Sequence, residues 1–243
     1  MESKTEHVKS LFETPDKYFD RRGSDIRIRT ETVQHFTNDM RFDSVLDIGC
    51  GNGAISLPLL PRCRRLTLLD LSSTMLELAG QRIPLERTKD VDMINGDFIG
   101  ANLAPNSFDL ILCIGVLAHV DSPAAVIAKV AEVAKPGARI VLEFTDSFHL
   151  SSVPNIICLE LLKLLRNESY ALNRLKQRQV MRWCSESDLR PCGLYRYAFA
   201  LPGTSIFVGQ KELYRWTRYL FGASDHNRNG WMGNEFICLL QKT

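Results

Sequence analysis

A short apolar run that ends in three alternating glycines is the feature that most constrains the fold of this chain. Residues 45–53 read VLDIGCGNG. Glycine has no Cβ, so it allows tight backbone turns and lets a ligand approach the peptide groups closely. The segment 44–48 predicts a strand, and the glycines predict a turn that leads into a helix. The free N–H groups at the start of that helix would face the turn. We therefore expect a ligand-binding turn at the end of this strand.

Downstream of this turn, apolar runs alternate with amphipathic stretches. Five strands are predicted in this part of the chain, at 44–48, 66–69, 91–94, 108–114 and 138–144. One intervening helix has Ser122 as its cap, Pro123 at its first position and Gly137 as its end. Another is predicted over 74–83, capped by Ser73. Strands alternating with helices favour an α/β fold with a parallel, doubly wound sheet.

The two ends of the chain have a different pattern. The polar, arginine-rich N-terminus predicts one or two surface helices. After residue 145 the pattern predicts helices at 155–166, 167–190 and 210–221, and strands at 194–200 and 231–240. No repeat or low-complexity linker is visible, so we expect a single domain over 1–243. Its parts are an N-terminal helical segment (1–42), a core (43–145), a helical lid insertion (146–190) and C-terminal strands and helix (191–243).

Composition excludes several classes of protein. The 243 residues are 45% hydrophobic and 24% charged, which is close to the globular average. The net charge of +2 gives no general nucleic-acid signature, and we expect no DNA partner. Neither a secretory signal nor an apolar run of about 18 residues is visible, so no membrane span is expected. Seven cysteines without a C-x-x-C pair predict reduced thiols and a cytoplasmic location.

Two kinds of ligand fit the glycine turn. Gly49, Gly51 and Ala54 satisfy the G-x-G-x-x-A spacing of dinucleotide-binding enzymes. Asp47 places a carboxylate two residues before the first glycine, where it would repel a pyrophosphate but suit a ligand with an ammonium group. The acid therefore favours a cationic ligand over a dinucleotide. The alternative is a dinucleotide cofactor, which would make the protein a nicotinamide-dependent oxidoreductase.

The spacing D-x-G-x-G-x-G resembles motif I of the class I S-adenosylmethionine-dependent methyltransferases, and later segments extend the resemblance over roughly residues 43–145. They are Asp70 at the end of the second strand, Gly96-Asp97-Phe98 after the third, FDLILCIGVLAHV at 108–120 and PGARIV at 136–141. Small-molecule members, including quinone-biosynthesis enzymes, often read LHHV where this chain has Ala118 and His119. The resemblance implies a Rossmann-like, seven-stranded sheet, mostly parallel with an antiparallel last strand, plus helical lid segments.

The resemblance also implies S-adenosyl-L-methionine as the cofactor. Asp70 would hold both ribose hydroxyls, because a carboxylate can accept two hydrogen bonds from a vicinal diol. Asp97 would accept a hydrogen bond from the adenine amino group, and Phe98 would pack on the ring. The other cofactor-binding candidates are Asp47, Gly49, Gly51, Gly53, Leu71, Ile114 and the N-terminal aromatic residue Tyr18. Arg27 or Arg29 could pair with the cofactor carboxylate.

His119 is the candidate catalytic residue. Methyl transfer from a sulfonium mainly requires alignment and exclusion of water, and a hydroxyl acceptor also benefits from a base. His119 lies just past the fourth strand, where ligands bind in open α/β sheets, and an imidazole titrates near neutral pH. Its alternative role is to cap a helix or orient a loop. Glu143 and Asp146 are second candidates.

The acceptor is expected to be a small organic molecule, acidic or aromatic, methylated at oxygen, nitrogen or carbon. Ten aromatic residues lie between 195 and 236. Many are expected in the core of the last strands, and some, with the apolar helix 155–166, could cover the acceptor pocket. Methylation of tRNA or protein, or a binding protein without activity, are the alternatives. No acidic cluster for magnesium can be assembled, so no metal is expected. The sequence leaves the oligomeric state open.

Overall fold

Seven strands form one mixed sheet within the residues that the computed structural model describes, 15–154, 157, 172–198 and 208–243. The strands are β1 (Phe42–Ile48), β2 (Cys63–Asp70), β3 (Val91–Asn95), β4 (Phe108–Cys113), β5 (Ala134–Thr145), β6 (Leu189–Tyr197) and β7 (Glu235–Lys242). Their order is β3-β2-β1-β4-β5-β7-β6. Strands β1 to β5 pair in parallel, and β7 is antiparallel to both of its neighbours. The predicted doubly wound sheet with an antiparallel last strand is confirmed.

Helices cover both faces of this sheet. The α-helices with described bounds are α1 (Pro15–Phe36), α2 (Ser73–Gly80), α3 (Pro123–Val133), α4 (Gln177–Glu186) and α5 (Gln210–Phe221). Short 3-10 helices occupy Leu57–Arg62, Leu85–Asp90, Leu150–Ser152 and Gly230–Met232. In the described parts of the chain, no helix is long and apolar enough to span a membrane.

A hydrophobic core lies on each side of the sheet, because successive side chains of a strand point to opposite faces. Leu46 and Ile111 belong to the core that α3 and α4 cover. Val45 and Leu110 belong to the core that α1 and α5 cover. Strand β4 is thus buried on both faces, as its continuous apolar sequence predicted.

The N-terminal helix is less exposed than predicted. In α1, Ile28 and Val33 are buried in the second core, and the Arg29 side chain is also buried. The prediction of one or two surface helices is met by one helix, of which one face packs against the sheet and α5 while Arg27 and His35 are exposed.

Tertiary pairing moved several predicted boundaries. Helix α3 begins as predicted, with Ser122 Oγ accepting a hydrogen bond from Ala125 N–H, but it ends at Val133. Gly137 does not close it, because Ala134 already pairs with Phe108 of β4. The pairing with β4 therefore starts β5 before the Pro136-Gly137 turn signal.

The second predicted helix is shorter than expected and has a different cap. Ser72, not Ser73, caps α2 by accepting a hydrogen bond from Met75 N–H at 3.3 Å. The helix ends at Gly80, three residues before the expected end.

The C-terminal strands also differ from the prediction. The predicted helix over 167–190 is found only at Gln177–Glu186: residues 172–176 are not helical, and β6 starts at Leu189, which pairs with Lys242. Strand β7 starts at Glu235 rather than at Trp231, which lies in a 3-10 helix. Most of the predicted helix 155–166, residues 167–171 and the end of the strand predicted at 194–200 lie outside the described residues.

Candidate cofactor and acceptor site

The glycine turn follows β1 in a conformation that favours glycine. Gly49, Gly51 and Gly53 have φ values of +66°, +53° and +72°. A Cβ at Gly49 would lie 2.7 Å from Val116 Cγ2, and a Cβ at Gly53 would lie 2.8 Å from Leu57. A Cβ at Gly51 would meet nothing within 4 Å. Two glycines therefore allow close packing around the turn, and Gly51 leaves its peptide open to a ligand.

The helix expected directly after this turn is replaced by turns and the 3-10 helix Leu57–Arg62. Pro58 and Pro61 lack N–H donors and disfavour an α-helix here. A dinucleotide pyrophosphate binds at the N-terminus of an α-helix. The local structure therefore disfavours the nicotinamide-cofactor alternative.

Asp70 ties the end of β2 to the glycine turn. Its Oδ2 accepts a hydrogen bond from Gly51 N–H at 2.8 Å, and its Oδ1 accepts one from Ser72 N–H at 2.9 Å. Burial raises the pKa of Asp70, while these backbone N–H groups partly oppose the shift. Each carboxylate oxygen has a further lone pair that can accept a hydrogen bond from a ligand hydroxyl.

Asp47 is the most unusual acid of the turn. It is 3% exposed, and its Oδ2 is a buried atom without a hydrogen-bond partner among the described residues. Burial raises the pKa of Asp47 to about 7; the Ser56 hydroxyl opposes the shift and the nearby Asp70 carboxylate adds to it. A cationic ligand would compensate this carboxylate, because it supplies both opposite charge and a donor.

The residues expected around the adenosine are divided between surface and core. Asp97 is exposed, and its Oδ2 accepts a hydrogen bond from Gly100 N–H at 3.3 Å. Phe98 is buried in the core, with Lys129 Nζ 5.3 Å from its ring centroid. Leu71 is partly exposed and Ile114 is buried in the second core. Stacking of Phe98 on adenine remains a prediction, and its burial gives it a clear packing role as well.

His119 lies in the loop after β4 and is partly exposed. Its backbone N–H donates a hydrogen bond to Val116 O at 2.9 Å. Asn173 holds this loop from a distant segment. Its side-chain Nδ2 donates to Leu117 O at 3.0 Å and to Val120 O at 2.6 Å, and its backbone N–H donates to Ala118 O at 2.9 Å. The sequence analysis missed Asn173, because only the folded chain brings it to this loop.

A second group of polar residues lies beside β4, where α1 crosses β5, β7 and β6. We call it the β5–β7 cluster, and it consists of Arg29, Glu143, Thr145, Tyr197 and Glu235. Arg29 Nε donates to Glu143 Oε1 at 2.8 Å, and the Tyr197 hydroxyl donates to the same oxygen at 3.3 Å. Thr145 Oγ1 donates to Glu235 Oε1 at 2.7 Å. Burial, with the nearby Glu143 carboxylate, raises the pKa of Glu235 to about 8.

The two arginines considered for the cofactor carboxylate have other partners. Arg27 Nε donates to Glu31 Oε1 at 2.9 Å, and its guanidinium lies 3.9 Å from the Tyr214 ring centroid. Arg29 pairs with Glu143. Tyr18 is in α1, but its side chain lies outside the described residues.

The aromatic residues near the C-terminus are divided between core and surface, and the expectation that many of them belong to the core is confirmed. Tyr195, Tyr197, Phe221 and Phe236 are buried core residues. Trp216, Tyr219 and Trp231 are exposed. Phe199 and Phe207 lie outside the described residues.

A surface cleft of about 490 Å³ lies at the opposite edge of the sheet, where β1, β4 and β5 begin. Asp109 contributes to its wall and has a structural role. It accepts hydrogen bonds from Asp43 N–H at 2.9 Å and Ser44 N–H at 2.8 Å, and pairs with Lys135 at 2.8 Å. The candidate residues are all distant from this cleft along their strands. Among the described residues, no group of three or more His, Cys, Asp and Glu side chains could hold a metal ion.

The sequence and the fold of this chain are similar to those of known methyltransferases. Residues 46–142 match the sequence model of a methyltransferase domain. A ubiquinone biosynthesis O-methyltransferase from Dechloromonas aromatica is 30% identical over 151 residues, which are 60% of this chain and 64% of that protein. The chain therefore spans a little under two thirds of this curated relative.

Solved structures show the same fold over nearly the whole chain. One is an S-adenosylmethionine-dependent methyltransferase from Thermotoga maritima, described as a possible histamine N-methyltransferase. It has a TM-score of 0.67 at 14% identity, with 99% of this chain and 100% of that chain covered. Magnesium protoporphyrin IX methyltransferase from Synechocystis, with bound S-adenosylhomocysteine, has a TM-score of 0.67 at 16% identity and the same coverage. Residues 46–142 thus match a methyltransferase domain, and nearly the whole chain has the fold of these solved methyltransferases.

Proposed function

We propose that this chain binds S-adenosyl-L-methionine and transfers its methyl group to a hydroxyl oxygen of a small organic acceptor. One observation carries the proposal: Asp47 and Asp70 flank an open glycine turn, and Asp47 keeps a buried carboxylate oxygen without a partner among the described residues. This arrangement suits a ligand with an ammonium group and a diol, and without phosphate.

The described residues fit each part of that cofactor. Asp47 supplies negative charge for the ammonium, Asp70 has lone pairs for the ribose hydroxyls, and Asp97 is exposed where it can accept from the adenine amino group. Glycines 49, 51 and 53 shape the turn, while Leu71, Phe98 and Ile114 are the apolar candidates beside it. When bound, the cofactor supplies a methyl group that its sulfonium has already activated.

The protein's own contribution to the reaction is alignment, exclusion of water and removal of a proton. His119 accepts the proton of the acceptor hydroxyl, and Asn173 holds the loop that carries His119. Asn173 contacts this loop through its backbone and its side chain, which supports a covering role for residues 172–176. The same position of His119 could also serve only to orient the loop, and the prediction below separates the two roles.

An oxygen acceptor is proposed on the names of the relatives. Eight curated relatives, 25% to 35% identical to this chain, are ubiquinone biosynthesis O-methyltransferases. Because the first relatives are matched over less than two thirds of their length, the acceptor atom and the acceptor itself are proposals for this chain.

A single domain and a cytoplasmic location are also part of the proposal. Strands from both ends of the chain complete one sheet, which supports a single domain. The six described cysteines outside the segment 155–171 are free thiols, which supports a reducing compartment.

Two measurements test the function. Calorimetry should show binding of S-adenosylmethionine and S-adenosylhomocysteine, and no binding of NADH. Radiolabelled methyl groups should then enter a small-molecule fraction of a cell extract, with equal release of S-adenosylhomocysteine. Binding of NADH alone would support the oxidoreductase alternative, and cofactor binding without transfer to any fraction would support a binding protein.

A further inference from the structure

Lys129, a partly exposed residue of α3, reaches across to the loop that follows β3. Its Nζ donates hydrogen bonds to Ile99 O at 2.7 Å and to Ala101 O at 2.6 Å. It also lies 5.3 Å from the centroid of the Phe98 ring. Exposed lysine side chains usually extend into water, because the ammonium group is strongly hydrated and its stem is flexible. One ammonium group that contacts three residues of a loop therefore indicates that the loop is held in place.

The same loop carries Asp97, the residue expected at the adenine amino group. We call residues 97–101 the adenine loop. Ala101 N–H donates to Asp97 O at 3.0 Å, and Gly100 N–H donates to Asp97 Oδ2 at 3.3 Å. The carboxylate is exposed and has further lone pairs that can accept a hydrogen bond from a ligand. Because the backbone of the adenine loop sets the position of Asp97, a contact that fixes the loop also fixes this carboxylate.

The contacts of Lys129 support the adenine loop and leave its acid available. Among the described residues, the hydrogen bonds of the ammonium group go to neutral carbonyl oxygens rather than to the Asp97 carboxylate. A fixed acceptor oxygen discriminates strongly between ligands that carry a donor and ligands that lack it. A loosened loop would lose part of this discrimination, because its carboxylate would no longer be held at one position.

We propose that Lys129 is a positioning residue for cofactor recognition: it fixes the adenine loop, so that Asp97 selects a base with the exocyclic amino group of adenine. This inference rests on the proposed methyltransferase function and assigns a role to a residue that acts through Asp97 rather than on the cofactor itself. Loss of Lys129 should therefore reduce discrimination between bases more than it reduces binding of the rest of the cofactor.

Two ligands that differ only in the base test this role. S-adenosylhomocysteine has an exocyclic amino group that donates hydrogen bonds, whereas S-inosylhomocysteine has an oxo group at the same position, which only accepts them. Calorimetry of the wild-type protein should show that S-adenosylhomocysteine binds at least about tenfold more tightly. We call this ratio of affinities the base preference.

The variant Lys129→Met keeps a long side chain but removes its donors. We expect S-adenosylhomocysteine to bind about three- to tenfold more weakly, since a charged hydrogen bond is weakened. The base preference should fall by the same factor, because S-inosylhomocysteine has no amino group whose hydrogen bond a displaced Asp97 would weaken. Lys129→Arg keeps donors for both carbonyl oxygens and should retain most of the preference. Lys135→Met is the matched control, because it removes a lysine ion pair with Asp109 at the opposite edge of the sheet. It should keep the wild-type preference.

A double-mutant cycle shows whether Lys129 acts through Asp97. Asp97→Ala removes the acceptor and should abolish most of the base preference. Adding Lys129→Met to Asp97→Ala should then change the preference by less than about twofold. A role in stability alone would instead lower both affinities by similar factors. Lys129→Gln is measured in parallel, and an unchanged thermal transition verifies that each variant is folded.

The outcomes separate this inference from the function on which it rests. If Lys129→Met and Lys129→Gln keep the wild-type base preference, or if neither folds, the positioning role of Lys129 is overturned. If the wild-type protein binds both ligands equally, selection by Asp97 is overturned and the role of Lys129 with it, while cofactor binding stands. If S-adenosylhomocysteine does not bind the wild-type protein, the proposed function itself fails.

Discussion

The glycine turn and the β5–β7 cluster both bury carboxylates near the same edge of the sheet, but they stabilise them differently. In the glycine turn, Asp70 accepts hydrogen bonds from backbone N–H groups no more than 19 positions away in the sequence. In the β5–β7 cluster, Glu143 pairs with Arg29, which is 114 positions away. The turn presents acids that have no positively charged partner among the described residues, whereas the cluster presents a neutralised ion pair.

This difference suggests a division of labour between the two regions. Unpaired acids suit a ligand that brings positive charge and hydrogen-bond donors, as S-adenosylmethionine does. A buried, neutralised pair between α1 and β5 suits a structural role. Substitutions in the turn should therefore change cofactor binding, and substitutions in the β5–β7 cluster should change stability.

The largest expected effect is on turnover, in the variant His119→Ala. Loss of a general base should lower kcat by ~10²–10⁴-fold, with little change in cofactor affinity. The limb of the pH–rate profile near the histidine pKa, about 6.5 before perturbation, should disappear. His35→Ala, at an exposed histidine near the end of α1, is the control. Turnover within a few-fold of wild type, with the limb retained, would assign His119 a structural role.

The next effect is on stability, in the variant Arg29→Met. Removing the guanidinium leaves the Glu143 carboxylate buried without its counter-charge, which should lower the free energy of unfolding by ~3–5 kcal/mol. Arg29→Met combined with Glu143→Leu should recover part of the loss. Urea unfolding measures both, with Arg27→Met at an exposed pair as the control that should change little. Equal stability of Arg29→Met and wild type would show that the pair does not compensate the cluster.

A stabilising change is expected in the glycine turn, in the variant Asp47→Asn without cofactor. The pKa of Asp47 is raised from 3.8 to about 7 in the folded protein. The folded state therefore holds a proton that the unfolded state loses, so this group lowers stability as pH rises from about 4 to about 7. Asparagine removes that pH dependence, so the variant should have a free energy of unfolding ~2–4 kcal/mol higher than wild type at pH 8, with a smaller gain at pH 5.

Urea unfolding of Asp47→Asn at the two pH values measures this effect. Asp92→Asn, an exposed acid on β3, is its control and should show no such pH-dependent gain. The same Asp47→Asn variant should bind S-adenosylmethionine more weakly than wild type. A variant that is no more stable at pH 8 would show that Asp47 is compensated in the folded protein without its ligand.

The smallest of the four effects is on cofactor affinity, in the variant Asp70→Ala. Loss of the hydrogen bonds to the ribose hydroxyls should weaken S-adenosylmethionine binding by ~1.5–3 kcal/mol. Calorimetry measures the change, and Asp92→Ala supplies a control from the neighbouring strand. Unchanged affinity would count against Asp70 as the ribose-binding residue and against the division of labour.

Local pattern alone determined much of this molecule. The alternation of apolar runs predicted the sheet, and the segment 210–221 matched α5 in both bounds. The glycines at 49, 51 and 53, with Asp47, were identified because a ligand-binding turn needs these residue types at short spacing. Asp70 was identified from the family resemblance, and His119 because it lies just past β4, where ligands bind in open α/β sheets.

Only the tertiary structure decided the rest of the candidate site. The prolines at 58 and 61 do not by themselves predict a 3-10 helix. No residue near Arg29 in the sequence indicates that it pairs with Glu143. Asn173 meets the His119 loop, and Tyr197 meets Glu143, only after β5, β7 and β6 have paired and α1 has crossed them. Residues separated by 50 or more positions are coupled through packing and strand register, and no local pattern records which of them will meet.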